Sequence, residues 1–179
     1  MRIFAISDLH VDFTANLEQV RSLSSVDYVT DVLLVAGDAS HRLDRAAAAL
    51  AALRQRFARV FFVPGNHDLW VDDGEELVAD EVVETSLQRL SSLESLCRQL
   101  GVETEPAVVG ETRVVPLYGW YESAFSDRLH GDAPMDRISR RWADFKRCRW
   151  SRELAEDDAR CLYFARRNED RLTGAMEHV

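Results

Sequence analysis

Lysine is nearly missing from this chain: Lys146 is the one lysine among 179 residues, so almost every basic side chain is an arginine. That bias reads as codon usage rather than function. Positive charge is short overall, with 22 Lys and Arg against 31 Asp and Glu and a net charge of −9. A general nucleic-acid groove needs a positive field that releases counterions, and the mean field here opposes one. Cysteine is scarce too: Cys97, Cys148 and Cys161 are odd in number and show no Cys-x-x-Cys spacing. A disulfide framework or a zinc knot is not expected; reduced packing or surface thiols are. No apolar run approaches the roughly 20 residues that span a bilayer. The N-terminus offers no leader, because apolar residues 3–6 run straight into Asp8 and His10 and fall short of an h-region of about 7–15 residues. The expected location is cytoplasmic, with no membrane association.

The chain is 46% apolar, which suits one folded domain over residues 1–179. Its charge is unevenly placed. Residues 72–84 are acidic, with no Lys or Arg among them, and are expected to form a solvated face or loop. Residues 137–152 carry Arg137, Arg140, Arg141, Lys146, Arg147, Arg149 and Arg152 against Asp144 alone. Guanidinium groups suit bidentate contacts to anions, although a solvated face is the simpler expectation for Arg137, Arg140 and Arg141.

Residues 1–70 follow a β-α-β-α-β pattern. Strands are expected at residues 3–6, 32–36 and 60–63, with a weak helical segment at 16–23 and an Ala-rich helix at 43–57. Strands alternating with helices imply right-handed crossovers and a parallel sheet. Leu87, Leu90, Leu93, Leu96, Cys97 and Leu100 recur at the helical period, and Gly101 ends that helix. Residues 102–104, 107–109 and 112–118 are strand-like, with Gly110-Glu111 as a two-residue hairpin loop. Residues 122–150 are irregular and long enough for an insertion or lid. Residues 154–172 are helical in pattern.

Three short motifs end the three apolar runs: Ser7-Asp8-Leu9-His10, Gly37-Asp38-Ala39-Ser40 and Gly65-Asn66-His67-Asp68. Parallel strands put their C-terminal ends on one sheet edge, where ligands bind. Asp8 and His10 are two apart, so in an extended segment both reach one cation. The carboxylate of Asp38 has two oxygens and can bridge two cations. Asn66 offers a hard amide oxygen to a second divalent cation. His67 then points elsewhere and is free to act on substrate, with Asp68 placed to orient its imidazole. Two cations about 3.5–4 Å apart hold a bridging hydroxide and clamp phosphoryl oxygens. This chemistry suits in-line attack on phosphorus. His41 and His130 are expected as loop residues, and Trp120 and Tyr121 as packing residues more than pocket walls.

The Asp-x-His, Gly-Asp and Gly-Asn-His-Asp motifs, in this order and each after a strand, resemble the calcineurin-like metallophosphoesterases. The motif match covers residues 1–70. The segments Pro116-Leu117-Tyr118-Gly119-Trp120-Tyr121 and Asp144-Phe145-x-x-Cys148-x-Trp150 are similar to a poorly characterised subgroup. The resemblance implies an α/β fold: a metallophosphoesterase-type β-sandwich flanked by helices. It implies two divalent metal ions (manganese, iron or zinc), with Asp8 and His10 on the first, Asp38 bridging and Asn66 on the second. His67 would be the transition-state stabiliser or proton donor. The implied reaction is hydrolysis of a phosphomonoester or phosphodiester by metal-bound hydroxide. Its substrate would be a phosphorylated small molecule or a phosphoprotein.

Such proteins also use a later histidine and a Gly-His-x-His motif, each after a strand. After His67 this chain has only His130 and His178, neither in that setting. The second cation is therefore expected to be weakly held, and the sandwich incomplete at its C-terminal side. A polypeptide cut short, a natural fragment completed by another chain, and a degenerate protein all fit, the first best. Unpaired sheet edges would then favour self-association. The alternative to an enzyme is a non-catalytic metal-binding or partner-dependent module.

Overall fold

The pentapeptide Val32-Leu33-Leu34-Val35-Ala36 is apolar without a break, as a strand covered on both faces must be. In the computed structural model, which describes residues 1–71, 84–122 and 142–176, it is the middle strand of a parallel sheet. β1 (Ile3–Ile6), β2 (Val32–Ala36) and β3 (Arg59–Val63) lie in that order, with Ile3 opposite Val32 and Val32 opposite Arg59. The crossovers are α1 (Thr14–Ser22) and α2 (Leu43–Arg54). Leu33, Val35, Val60 and Phe62 face these helices and α3 (Ser86–Leu100), meeting Leu17, Val20, Leu50, Leu53, Leu90 and Leu93. Burying each such side chain contributes about 1.5–3 kcal/mol.

The alternate residues Val32, Leu34 and Phe61 face the other way. They pack against Ala107, Val109 and Val114 of a hairpin, β4 (Ala107–Val109) and β5 (Thr112–Val114). The fold is thus α/β, with helices on one face of the parallel sheet and antiparallel strands on the other. Over β1 that second face is open: Ile3 remains 41% exposed, and Ala5 is exposed beside it. α3 carries both of its expected stops. Thr85 and Gln88 form a reciprocal capping box, and Gly101 closes the helix at φ 69°.

Several expected boundaries move, each for a local reason. α1 begins earlier than expected, at Thr14. α2 ends at Arg54 rather than residue 57, where Arg56 donates to the carbonyl of Ala52 at 2.8 Å and tightens the last turn. Residues 102–104 are not a strand: Glu103 alone exchanges backbone hydrogen bonds with β3, and Pro106 soon removes a donor. β5 stops at Val114 rather than residue 118. Beyond it the side chain of Asn168 takes the strand's place, accepting from the Tyr118 amide at 2.9 Å and donating to its carbonyl at 2.8 Å. Asn168 lies on α5 (Asp157–Met176), which follows the short α4 (Asp144–Arg147) and a 3-10 turn at Arg152–Leu154. Cys97, Cys148 and Cys161 are unbridged. Among the described residues no helix is long and apolar enough to cross a membrane. The acidic residues 72–83, the cluster Arg137, Arg140 and Arg141, most of the expected lid, and His130 and His178 lie outside the described residues.

The sheet is clamped at the start of β2. Asp31 accepts from the Arg2 amide at 2.7 Å and from its guanidinium at 2.6 and 3.0 Å, while its carbonyl accepts from the Ala58 amide at 2.9 Å. The Arg2 guanidinium holds the Asp31 carboxyl below its ordinary value. The clamp is therefore complete above the usual carboxylate range and is lost as pH falls through that range. We predict that Asp31→Asn lowers the melting temperature at neutral pH. The gap from wild type should narrow as pH falls through and below the usual carboxylate range, read by circular dichroism melts across pH.

Candidate metal centre

Leu9 and Val11 are buried, and this alternation lifts Asp8 and His10 out of the core. The loop after β1 runs beside the loop after β2. The amides of Asp8, His10 and Val11 donate to the carbonyls of Gly37, Asp38 and Ala39 at 3.2, 2.9 and 2.9 Å. On the other side the side-chain amide of Asn16, in α1, donates to the carbonyls of Leu9 at 2.9 Å and His10 at 3.1 Å. Asp8, His10 and Asp38 have φ of 55°, 41° and 55°, and they are the only non-glycine residues with positive φ among those described. Each such conformation costs on the order of 1–3 kcal/mol, and such strain collects at functional sites. The expected extended i, i+2 geometry is thus corrected. Asp8 and His10 converge through left-handed backbone, with Asp8 Oδ1 and His10 Nε2 3.8 Å apart.

The loops after β2 and β3 meet across two glycines. A Cβ on Gly37 would lie 2.9 Å from the Cα of Gly65, and one on Gly65 would collide with the Asp38 carboxylate. Asp68 locks this contact. It is fully buried, and its carboxylate accepts from the amides of Asp38 at 2.8 Å, Ser40 at 2.8 Å and Gly65 at 2.9 Å. Burial pushes its carboxyl up to about 7, against the pull of those amides. The expectation that Asp68 orients the His67 imidazole is corrected accordingly: its oxygens hold backbone, while His67 Nδ1 is buried without a hydrogen-bond partner. The amide of His67 in turn donates to Asp38 Oδ1 at 3.1 Å.

One donor atom each from Asp8, His10 and Asp38 lies within 4.8 Å of the others, a spacing that one divalent cation can gather. The mixed oxygen and nitrogen set, its left-handed backbone and its open side at the exposed Asp8 all fit an accessible cation. Burial raises the Asp38 carboxyl, with repulsion from Asp8 and Asp144 adding to it. Asn66 is held by Asp144, accepting its amide protons at 2.9 and 3.0 Å, and the indole of Trp70 donates to the same carboxylate at 2.6 Å. The Asn66 carbonyl oxygen is thereby oriented.

His67 sits beneath the site, its ring centroid 4.6 Å from that of His10 and 4.3 Å from that of Trp70. Burial lowers its imidazole to about 4, with His10, His41 and Arg147 acting in the same direction against Asp12. Asp12 escaped the sequence reading, His41 was expected as a loop residue, and Asp144 was expected only as part of a shared segment and not at the site. Asp12 continues the Asp8-x-His10 alternation and His41 follows the second motif closely, so both carried a usable signal. Asp144 met its partners only through folding. A cleft of about 410 Å³ adjoins the centre, lined among others by Gly37, Gly65, Asn66, Leu117, Trp120 and Tyr121. Trp120 and Tyr121 therefore wall this cleft as well as stacking on each other at 5.2 Å.

The family whose model describes calcineurin-like phosphoesterases matches residues 1–167. The chain is 36% identical over 132 residues to the acyl-carrier-protein phosphodiesterase PptH of Mycobacterium tuberculosis, covering 69% of this chain and 38% of that protein. It is also similar to the crystal structure of phosphopantetheinyl hydrolase (PptH) from Mycobacterium tuberculosis. That match has a TM-score of 0.70 and 27% identity, over 96% of this chain and 62% of that one. The chain thus spans less than two thirds of the length of these relatives.

Replacing the buried Asp68 carboxylate by a carboxamide turns an N–H group toward backbone donors. We predict that Asp68→Asn destabilises the fold by about 3–5 kcal/mol, the scale for breaking a buried charged network. Gly65→Ala should lose about 1–3 kcal/mol through overpacking. Urea unfolding of the purified variants measures both.

Proposed function

This chain belongs to the calcineurin-like phosphoesterases, a family of metal-dependent phosphoester hydrolases, and from that membership we propose that it hydrolyses a phosphodiester. Asp8, His10 and Asp38 would hold the first divalent cation, manganese or iron in preference to zinc because two of the three ligands are carboxylates. Asp38 and the carbonyl oxygen of Asn66 hold a second one more weakly. Bound cations supply Lewis acidity toward a phosphoryl oxygen and bring the pKa of water near neutrality. The chain's own residues do the rest. Asp144 orients Asn66, and the His67 amide fixes Asp38. The imidazole of His67 is neutral, so it serves the phosphoryl group as a hydrogen-bond donor rather than as a standing acid.

The observation that carries this reading is the Asp8–His10–Asp38 group, strained into place at the C-terminal edge of a parallel sheet. The adjoining cleft receives the organic part of the substrate, with Trp120 and Tyr121 as its aromatic wall. The names of the two relatives point to a phosphodiester on an acyl-carrier protein and to a phosphopantetheinyl group. We carry over that substrate class for this chain. A second reading, a metal-binding module without turnover, draws support from Asp38: among the described residues it joins only the Asp8–His10–Asp38 group of cation-competent His, Cys, Asp and Glu.

The test is metal content and hydrolysis in one series. We predict that manganese affinity falls by more than about 100-fold in Asp38→Ala, beyond the 10–100-fold typical of outer-sphere partners. Release of phosphopantetheine from holo acyl-carrier protein by the metal-loaded chain should disappear in the same variant. Equal manganese content in wild type and Asp38→Ala would sink the metal assignment. Metal binding without any release would favour the non-catalytic module.

A further inference from the structure

His10 belongs to two cation-competent groups. One is the Asp8–His10–Asp38 set; the other joins His10 to Asp12 and His67, again with one donor atom from each within 4.8 Å of the others. Asp12 Oδ2 lies 3.7 Å from His67 Nε2, and Asp12 Oδ1 lies 3.1 Å from His41 Nδ1. His41 Nδ1 and His67 Nε2 are 3.3 Å apart. A tetrahedral ion with ligands at 2.0–2.1 Å sets its donor atoms about 3.3 Å from one another; the His41–His67 and Asp12–His67 pairs lie near that spacing, and Asp12 offers its other oxygen to His41.

We propose that His10, Asp12, His41 and His67 form a second, nitrogen-rich site for a zinc-type cation, exclusive with use of His10 by the first site. Two observations besides the spacing support it. Asp12 Oδ2 is buried and makes no hydrogen bond, although buried polar groups nearly always find a partner. Its other oxygen is already fixed, accepting from the Ser40 hydroxyl at 2.6 Å, as an orienting contact fixes a ligand carboxylate. The chemistry separates the two sites. Asp8, Asp38 and His10 make a hard, oxygen-rich set that suits manganese, whereas three imidazoles and one carboxylate suit zinc. Zinc at the second site also takes up the imidazole of His67, which the phosphoesterase reading assigns to the phosphoryl group. Bound zinc is therefore an inhibitory occupant.

This inference goes beyond the hydrolytic reading, and its primary test needs no turnover. Zinc is titrated calorimetrically into the metal-free chain, its Asp12→Asn, His41→Gln and Asp8→Asn variants, with circular dichroism as the folding check. Zinc affinity should fall at least tenfold in Asp12→Asn and in His41→Gln, and stay within about threefold of wild type in Asp8→Asn. Prior zinc should weaken manganese binding in wild type, and this competition should vanish in Asp12→Asn. If zinc binds Asp12→Asn and His41→Gln as it binds wild type, the cluster is a hydrogen-bonded histidine pair and the proposal fails. Loss of zinc in Asp8→Asn alone overturns it equally. Should Asp12→Asn not fold, His41→Gln decides, because that side chain lies outside the sheet core. Failure of the phosphoesterase reading shows separately, as absent phosphopantetheine release with zinc binding intact.

Discussion

The carboxylate of Asp68 is the contact on which the centre depends. It ties three backbone amides, those of Gly65 after β3 and of Asp38 and Ser40 after β2. With those loops fixed, Gly37 and Gly65 touch, Asp38 keeps its left-handed backbone, and its carboxylate is held by the His67 amide. The loop after β1 is then laid against the Asp38 loop, and the Asn16 side chain secures it from α1. Asp8, His10 and Asp38 are thus placed by contacts that a cation does not have to create. That is preorganisation in the ordinary sense: the geometry is held by residues whose own positions are locked.

Much of this frame was legible in the sequence, and the reason is local. Buried parallel strands are unbroken apolar runs, so β1, β2 and β3 announce themselves, and their ends locate the three motifs. α3 declares its period and its glycine stop. What was not legible is non-local. Nothing in residues 112–118 says that Asn168, fifty positions on, will replace a neighbouring strand for Tyr118. Asp144 likewise meets Asn66 and Trp70 only across the folded chain. Asp68 looked like a partner for the imidazole beside it, yet a fully buried carboxylate is better satisfied by three converging amides than by one neutral ring. The left-handed backbone of Asp8, His10 and Asp38 has no sequence signature, since glycine would be the usual choice there.

The electrostatics bear on the proposed phosphoester reading of so acidic a chain, with a net charge of −9. Asp38 is half buried and stands near Asp8 and Asp144, and both burial and repulsion disfavour its ionised form. A divalent cation bound there would reverse that balance, linking its uptake to proton release. The same cation changes the local field from repelling a phosphoester to attracting it. Which cation arrives then matters as much as whether one does. His10 stands between a hard oxygen set and a nitrogen-rich set, and it cannot serve both fully. On the two proposals above, the identity of the bound metal would decide whether the His67 imidazole is turned toward a phosphoryl group or toward a second ion.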